Sequence, residues 1–414
     1  MRETRHLDVT DILVFIFLFL SVFDQAREGL LLDGKIMNAW ALSRDGLILY
    51  LFIVEIVRKR FKFNGVLIGL SCIFLLALNC LIGINNTLHI WSVLKATWLH
   101  AKWIFIYFIF YNYFQEKNYY RVIKYLINLG MALFLFNLIF SIWGNDFLTR
   151  LYSGGLRLTV GNSSIISYWY CTLIVICEYA DIFPNKIVKV ICLLIFYIAV
   201  ITTVTTTAFI ALICIIVIDL LVNKKVKIKK VGVIIGIIGI LYFGIYSSQL
   251  FENSEFGIYV YSKLEQVIAL FKNRDSVYSV GTLSIRKLQI EAVKKNMNLL
   301  NYLVGLGPSG YKLYTKYLEN FYYVLLFDKG IFFFSFFCIL ITGIFAKGIL
   351  LDDDFLLKIF AIFACYCFTL DFFLPYMTGF SFALVLAIYR REKWEGQGRN
   401  EMMLAIEKFY NNKK

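Results

Sequence analysis

Apolar runs of about 17–25 residues recur along the chain with short polar segments between them, and runs of that length cross a bilayer as helices. They predict about twelve spans, at 9–25, 38–57, 64–84, 94–114, 122–143, 163–181, 187–203, 205–222, 231–247, 320–346, 355–372 and 375–390. One stretch breaks the rhythm. Residues 248–319 form the only long segment that is not mostly apolar, and hydrophobic runs bound it on both sides.

That loop has its own pattern. Phe256, Val260, Leu264, Val267, Ile268 and Phe271 recur at helical spacing, which predicts an amphipathic helix lying on the membrane or on the protein. After the polar stretch Asn273–Gly281 a second helix is expected over 283–298, with Arg286, Ile290 and Val293 on one face. A cation on an apolar stripe points towards protein rather than water. A glycine turn follows, Gly305-Leu306-Gly307-Pro308-Ser309-Gly310. Beyond it a third helix is expected to begin near Lys312 and run on into the membrane, aligning Glu319, Tyr323, Leu326 and Gly330.

Composition agrees with this pattern. The 414 residues are 60% hydrophobic and 17% charged, with three prolines, against about 45–50% apolar in an ordinary soluble domain. The expected class is all-α, a single polytopic membrane domain over 1–414 with one large external helical loop at 248–319. No small-residue cleavage site follows the first apolar run, so that run reads as a retained span.

The net charge of +14 is not a nucleic-acid signature, because the basic residues occupy short loops between spans. They crowd at Arg58-Lys59-Arg60-Lys62, at Asn223–Lys230 and from Arg390 to Lys414, which places those loops and both termini in the cytoplasm and the long loop outside. All nine cysteines lie in apolar runs without a CxxC, and the three histidines join no metal-binding pattern. No metal or cofactor is expected. No inverted repeat is visible either, which counts against a secondary transporter.

Cations, a flexible turn and a carboxylate thus gather on one face of a membrane. Those parts suit metal-free group transfer from a donor that is already activated, such as a sugar on a lipid diphosphate. Arginine grips phosphate oxygens bidentately and stabilises the leaving group, and a carboxylate takes the proton of an incoming hydroxyl. Two roles fit Arg157, in the loop Gly154–Asn162: a phosphate contact that the glycines and Asn162 let backbone approach, or a cation snorkelling to headgroups. Two also fit Arg286: a phosphate contact, or a salt bridge with Glu291 or Glu265 that orders the loop. Glu319 is the candidate base, against a bland reading as an exposed acid. Lys95, Lys102 and Arg44 are placed along one outer cavity, since ionisable residues in spans face a cavity or a partner. For Asp328-Lys329 the expectation is charge pairing, mutual or with neighbours, for His89 and His100 ordinary hydrogen bonding, and for the threonines at 202–207 a tight hairpin without further role.

At these residues the chain resembles the O-antigen polymerase and ligase superfamily, the Wzy-type polymerases of bacterial surface polysaccharides. The likeness rests on one large late loop carrying Ser284-Ile285-Arg286, then Gly305-Leu306-Gly307, then Glu319-Asn320 with Gly330 eleven positions after Glu319. The segment from Arg157 to Asn162 resembles the family's earlier arginine loop. Glutamate at 319 departs from the histidine typical of the ligase branch and favours the polymerase branch.

The resemblance implies a glycosyltransferase of the bacterial inner or plasma membrane. It would join undecaprenyl-diphosphate-linked repeat units into capsular polysaccharide or O-antigen on the outer face. Its partners would be those lipid-linked glycans, membrane lipids and a protein that controls chain length. Arg157 and Arg286 would bind the diphosphate and Glu319 would deprotonate the acceptor. Asn162, Asn320, Tyr323 and Gly330 would line the substrate path with Lys95, Lys102 and Arg44. Gly330 would admit either a lipid tail or a neighbouring helix. A ligase is the nearest alternative, and a flippase or transporter of lipid-linked glycans the next.

Overall fold

The computed structural model describes residues 8–29, 33–57, 74, 76–86, 89–116, 119–143, 159–179, 183–203, 205–222, 281–373 and 375–391. Among them every regular element is a helix: α1 (Val9–Val22), α2 (Asp24–Gly29), α3 (Gly34–Val57), α4 (Leu76–Asn85), α5 (Ile90–Glu116), α6 (Tyr119–Trp143), α7 (Ser163–Tyr179), α8 (Lys186–Thr202), α9 (Thr206–Val222), α10 (Gly281–Lys294), α11 (Leu299–Val304), α12 (Phe321–Leu350), α13 (Asp354–Cys367) and α14 (376–391). Among the described residues three helices are long and apolar enough to cross a membrane, at Ile90–Phe114, Tyr120–Phe140 and Phe321–Leu350. The expected span at 231–247, the amphipathic helix over 256–271, most of the third span and Arg157 lie outside the described residues.

The core is built round α7, whose residues from Ser163 to Cys177 are almost all buried. Tyr168, Trp169 and Tyr170 point in three directions from consecutive positions and are each at most 1% exposed. Neighbouring helices must therefore surround α7, and α6, α8, α9 and α13 do so. Outer faces are apolar instead of polar. On α8, Ile187, Val190, Ile191, Leu194 and Ile198 form an exposed stripe; on α12, Phe332, Phe336 and Ile339 do the same. Contiguous apolar surface of this kind is a liability in water and the ordinary state against lipid.

Polar contacts mark two ends of the bundle. At one, Lys358 at the start of α13 meets Glu178 of α7 at 2.5 Å and Asp219 of α9 at 2.7 Å. At the other, Thr207 donates to Thr369 at 3.0 Å and Tyr366 to Ser167 at 2.6 Å. The threonines at 202–207 do make the expected tight connection, between α8 and α9.

The helix expected to start near Lys312 is interrupted. A single 3-10 turn spans Gly310–Leu313, non-helical chain runs to Asn320, and α12 begins at Phe321 with Asn320 as N-cap, its side chain accepting from the Tyr323 amide at 3.2 Å. Glu319 thus lies outside α12, and the line from Glu319 to Gly330 along one helix is not formed. Gly330 breaks α12 with φ 79° and ψ 173°. A Cβ there would overlap the Leu303 carbonyl oxygen. Of the two occupants expected beside Gly330, the structure places the backbone at the end of α11, not a lipid tail.

Gly330→Ala should therefore destabilise the protein by more than the ~1 kcal/mol of a plain backbone effect, since both conformation and space forbid a Cβ. Gly343 in the same helix has nothing within 4 Å of a built Cβ, and Gly343→Ala should cost nothing. Thermal unfolding of the two variants in detergent tests the contrast.

Candidate functional site

Three local structures converge at the end of the bundle marked by Thr207 and Thr369. The first is the glycine turn. Its Ser309 amide donates to Asp328 Oδ2 at 2.7 Å and its Tyr311 amide to Oδ1 at 3.3 Å, while the Leu306 and Gly307 amides donate to the Phe327 and Asp328 carbonyls at 2.7 and 3.1 Å. Such a wrap needs backbone that turns sharply: Gly307 has φ 92°, and Ser309 sits left-handed at φ 58°. A Cβ on Gly307 would overlap Gly83 of α4. Asn79 of α4 completes the arrangement, donating to the Asp328 carbonyl at 2.9 Å and accepting from Lys329. Of the mutual or neighbouring charge pairing expected for Asp328-Lys329, neither forms as an ion pair among the described residues. Asp328 serves the turn and Lys329 serves α4.

The second is the head of α10. Arg286, Ile290 and Val293 share the face the sequence predicts: Val293 is fully buried, Ile290 packs beside it and Arg286 is 18% exposed. The partner of Arg286 is not Glu291, one of the two expected, and the other, Glu265, lies outside the described residues. Arg286 Nη2 donates to Glu319 Oε2 at 3.1 Å and to the Thr369 carbonyl at 3.3 Å, and its buried Nε has no partner among the described residues. Glu291 instead lies 3.9 Å from Lys287. The Glu319 side chain is 56% exposed, and a bridge of that exposure contributes about 0–1 kcal/mol. Asn320 also reaches across, donating to the Phe368 carbonyl at 3.3 Å. Tyr323 is half-buried against Phe327 with Lys294 over its ring.

The third is a buried charge cluster where α2, α3, α5 and α14 meet. Arg44, 4% exposed, pairs with Asp24 and with Asp45 at 3.2 Å, and its guanidinium lies 3.5 Å from the centre of the Tyr376 ring. Lys102, 3% exposed, lies 4.7 Å from the same ring centre. Asp45 also accepts from Trp98 at 2.8 Å, and Arg27 bonds Asp24 at 2.9 Å. Arg44 and Lys102 therefore come together against one ring, both buried. Lys95, two turns earlier on α5, is exposed and stands apart from this cluster. The Asn162 amide donates to Gln25 Oε1 at 3.2 Å, which seats the loop ahead of α7 against α2, one residue from Asp24.

Sequence reading missed one group, Asp371. It lies in the turn between α13 and α14, 7% exposed; Tyr311 donates to its Oδ2 at 3.4 Å, and its Oδ1 is buried with no partner among the described residues. Burial, with the Asp371 carboxylate next, raises the Tyr311 hydroxyl well above its ordinary value and keeps it a donor. Nothing in the local sequence marks Asp371, because it sits in an apolar run at a helix end. His100 is buried with Nδ1 2.7 Å from the Ala96 carbonyl, an ordinary helix contact. Among the described residues no group of histidine, cysteine, aspartate and glutamate could hold a metal ion.

No protein-family model matches the chain, and no curated protein matches it at a significant level.

Asp24→Asn should cost about 3–5 kcal/mol, because it leaves the buried Arg44 with only the adjacent, partly exposed Asp45. Asp24→Asn/Arg44→Met should recover part of that loss. Unfolding midpoints of the two variants in detergent measure it.

Proposed function

We propose that this chain is a polytopic membrane glycosyltransferase that polymerises undecaprenyl-diphosphate-linked repeat units into capsular polysaccharide or O-antigen. In this reading it has about twelve spans, cytoplasmic termini and a catalytic end facing outward from a bacterial plasma membrane. The observation that carries the reading is the Arg286 guanidinium at the head of α12. It is largely buried, it is shared between a carboxylate and a carbonyl, and it keeps one donor unpaired. A pair this weak has little to do with stability, whereas a preorganised guanidinium with a donor to spare suits the charge that develops on a departing diphosphate. The surrounding parts agree with it: apolar outer faces for a lipid substrate, and the glycine turn, Glu319 and Asn320 within reach of one end of the bundle.

Chemically, the acceptor hydroxyl attacks the anomeric carbon while the bond to the lipid diphosphate breaks. Arg286, together with Arg157 of the preceding loop, takes the diphosphate charge, and Glu319 is the carboxylate that the sequence offers to the acceptor proton. A single displacement of this kind inverts the anomeric centre, unlike a two-carboxylate retaining scheme.

The test is reconstitution. Purified protein in detergent should lengthen lipid-linked repeats, and product anomers should be opposite to those of the donor. Arg286→Ala should lower the rate by about a hundred- to a thousandfold with the unfolding midpoint unchanged. If that variant still makes long chains, or if the wild type only moves finished glycan to another acceptor, the polymerase reading fails.

A further inference from the structure

The break at Gly330 reverses α12 instead of bending it. A straight helix would hold Phe321 and Phe337 about 24 Å apart, yet their ring centroids are separated by 5.6 Å, and Tyr322 meets the same ring at 6.5 Å. The first leg, 321–329, therefore folds back on the second, 331–350, which at about 30 Å is still long enough to cross a bilayer. Exposed apolar side chains of the second leg, Phe332, Phe336 and Ile339, continue almost to the reversal. There the leg meets α11: a Cβ on Gly330 would overlap the Leu303 carbonyl oxygen, and one on Gly305 would overlap the Asp328 carbonyl. α11 is apolar and open away from that contact. Leu299 is 78% and Leu300 63% exposed, and Val304 is exposed one turn after Leu300. Ile285 and Leu288, one turn apart on α10, are exposed as well. Lys294 and Lys295, both exposed, stand where α10 ends and the chain turns towards α11.

We propose that α11, with the Ile285–Leu288 side of α10, lies in the headgroup layer of the bilayer, its leucines among acyl chains and Lys294 and Lys295 at the phosphates of anionic lipids. Apolar burial and attraction to anionic headgroups act together on a surface of this kind, and lysine stems reach from the apolar boundary to the phosphates. Continuity names the occupant. The crossing leg stays apolar up to its reversal and α11 abuts the reversal, so the lipid that covers Phe332 is the nearest cover for α11. The backbone agrees with that position. Non-helical chain beside lipid must have its polar groups met inside the protein. The 305–310 turn is buried, with the Leu306 and Gly307 amides on the Phe327 and Asp328 carbonyls, and Asn298 caps α11 by accepting from the Asn301 amide at 2.8 Å. In water the same leucines would form an uncovered apolar patch. The assignment concerns the surroundings of this end of the bundle and does not depend on the glycosyltransferase reading.

The experiment places the full chain in lipid nanodiscs holding equal amounts of phosphatidylglycerol and phosphatidylcholine, with a photo-crosslinking residue at one position. Leu300→benzoylphenylalanine should form phospholipid adducts on irradiation, read by mass spectrometry, whereas Glu291→benzoylphenylalanine, on the polar side of α10, should form almost none. Adducts of phosphatidylglycerol should outnumber those of phosphatidylcholine about fivefold, roughly the effect of one lysine at an anionic surface. Adding Lys294→Gln and Lys295→Gln should bring that ratio to about one, by the same reasoning. Crosslinks from position 300 to a second copy, or to residues 248–280 of the same chain, in place of lipid overturn the proposal. So does the absence of any adduct, or an equal yield at 291. An even ratio of the two lipids before the lysines are changed overturns the anionic headgroup contact. Should the Leu300 variant not purify as a monodisperse species, Leu288→benzoylphenylalanine decides by the same criteria.

Discussion

The carboxylate of Asp328, closed in by backbone amides of the 307–311 turn, is the constraint on which the rest of this end depends. A buried carboxylate is costly unless several donors meet it, and here the donors are main-chain groups that exist only if the turn adopts its left-handed geometry. The turn and the helix therefore fix one another. With the turn held, Tyr311 is aimed at Asp371; with α12 broken at Gly330, its head is set beside α10, where Arg286 finds Glu319.

The same logic separates charges whose buried atoms are met from charges whose buried atoms are not. Lys358 between Glu178 and Asp219, and Arg44 between Asp24 and Asp45, are buried and fully partnered, as charges that hold helices together must be. Arg286 and Asp371 are different, each keeping one buried polar atom without a partner among the described residues. Unsatisfied groups are rare in folded proteins, and where they persist they point to a ligand, a water or strain.

Much of the site was legible in the residues. The apolar face of α10 follows from a helical period, which placed Arg286 half-inside correctly. The glycine turn is a turn, as its residues imply. Pairing was less legible. Glu291, one turn along α10, is the natural sequence-local guess for Arg286, yet the partner lies across the fold at Glu319. For Asp328-Lys329 the sequence offered mutual or neighbouring charge pairing, but adjacent side chains on a helix do not face each other, and the partners are backbone amides and Asn79.

Periodicity and composition by themselves determined that the chain is helical and apolar, where most helices lie, and which face of α10 turns inward, because these depend on local steric and solvent preferences that repeat every few residues. The tertiary structure alone decided that α12 starts at Phe321 and breaks at Gly330, that Arg286 meets Glu319 and Thr369, and that Tyr311 meets Asp371. Each of those depends on groups far apart in the chain competing for the same buried donors and acceptors, and no pattern of neighbouring residues encodes the outcome of that competition.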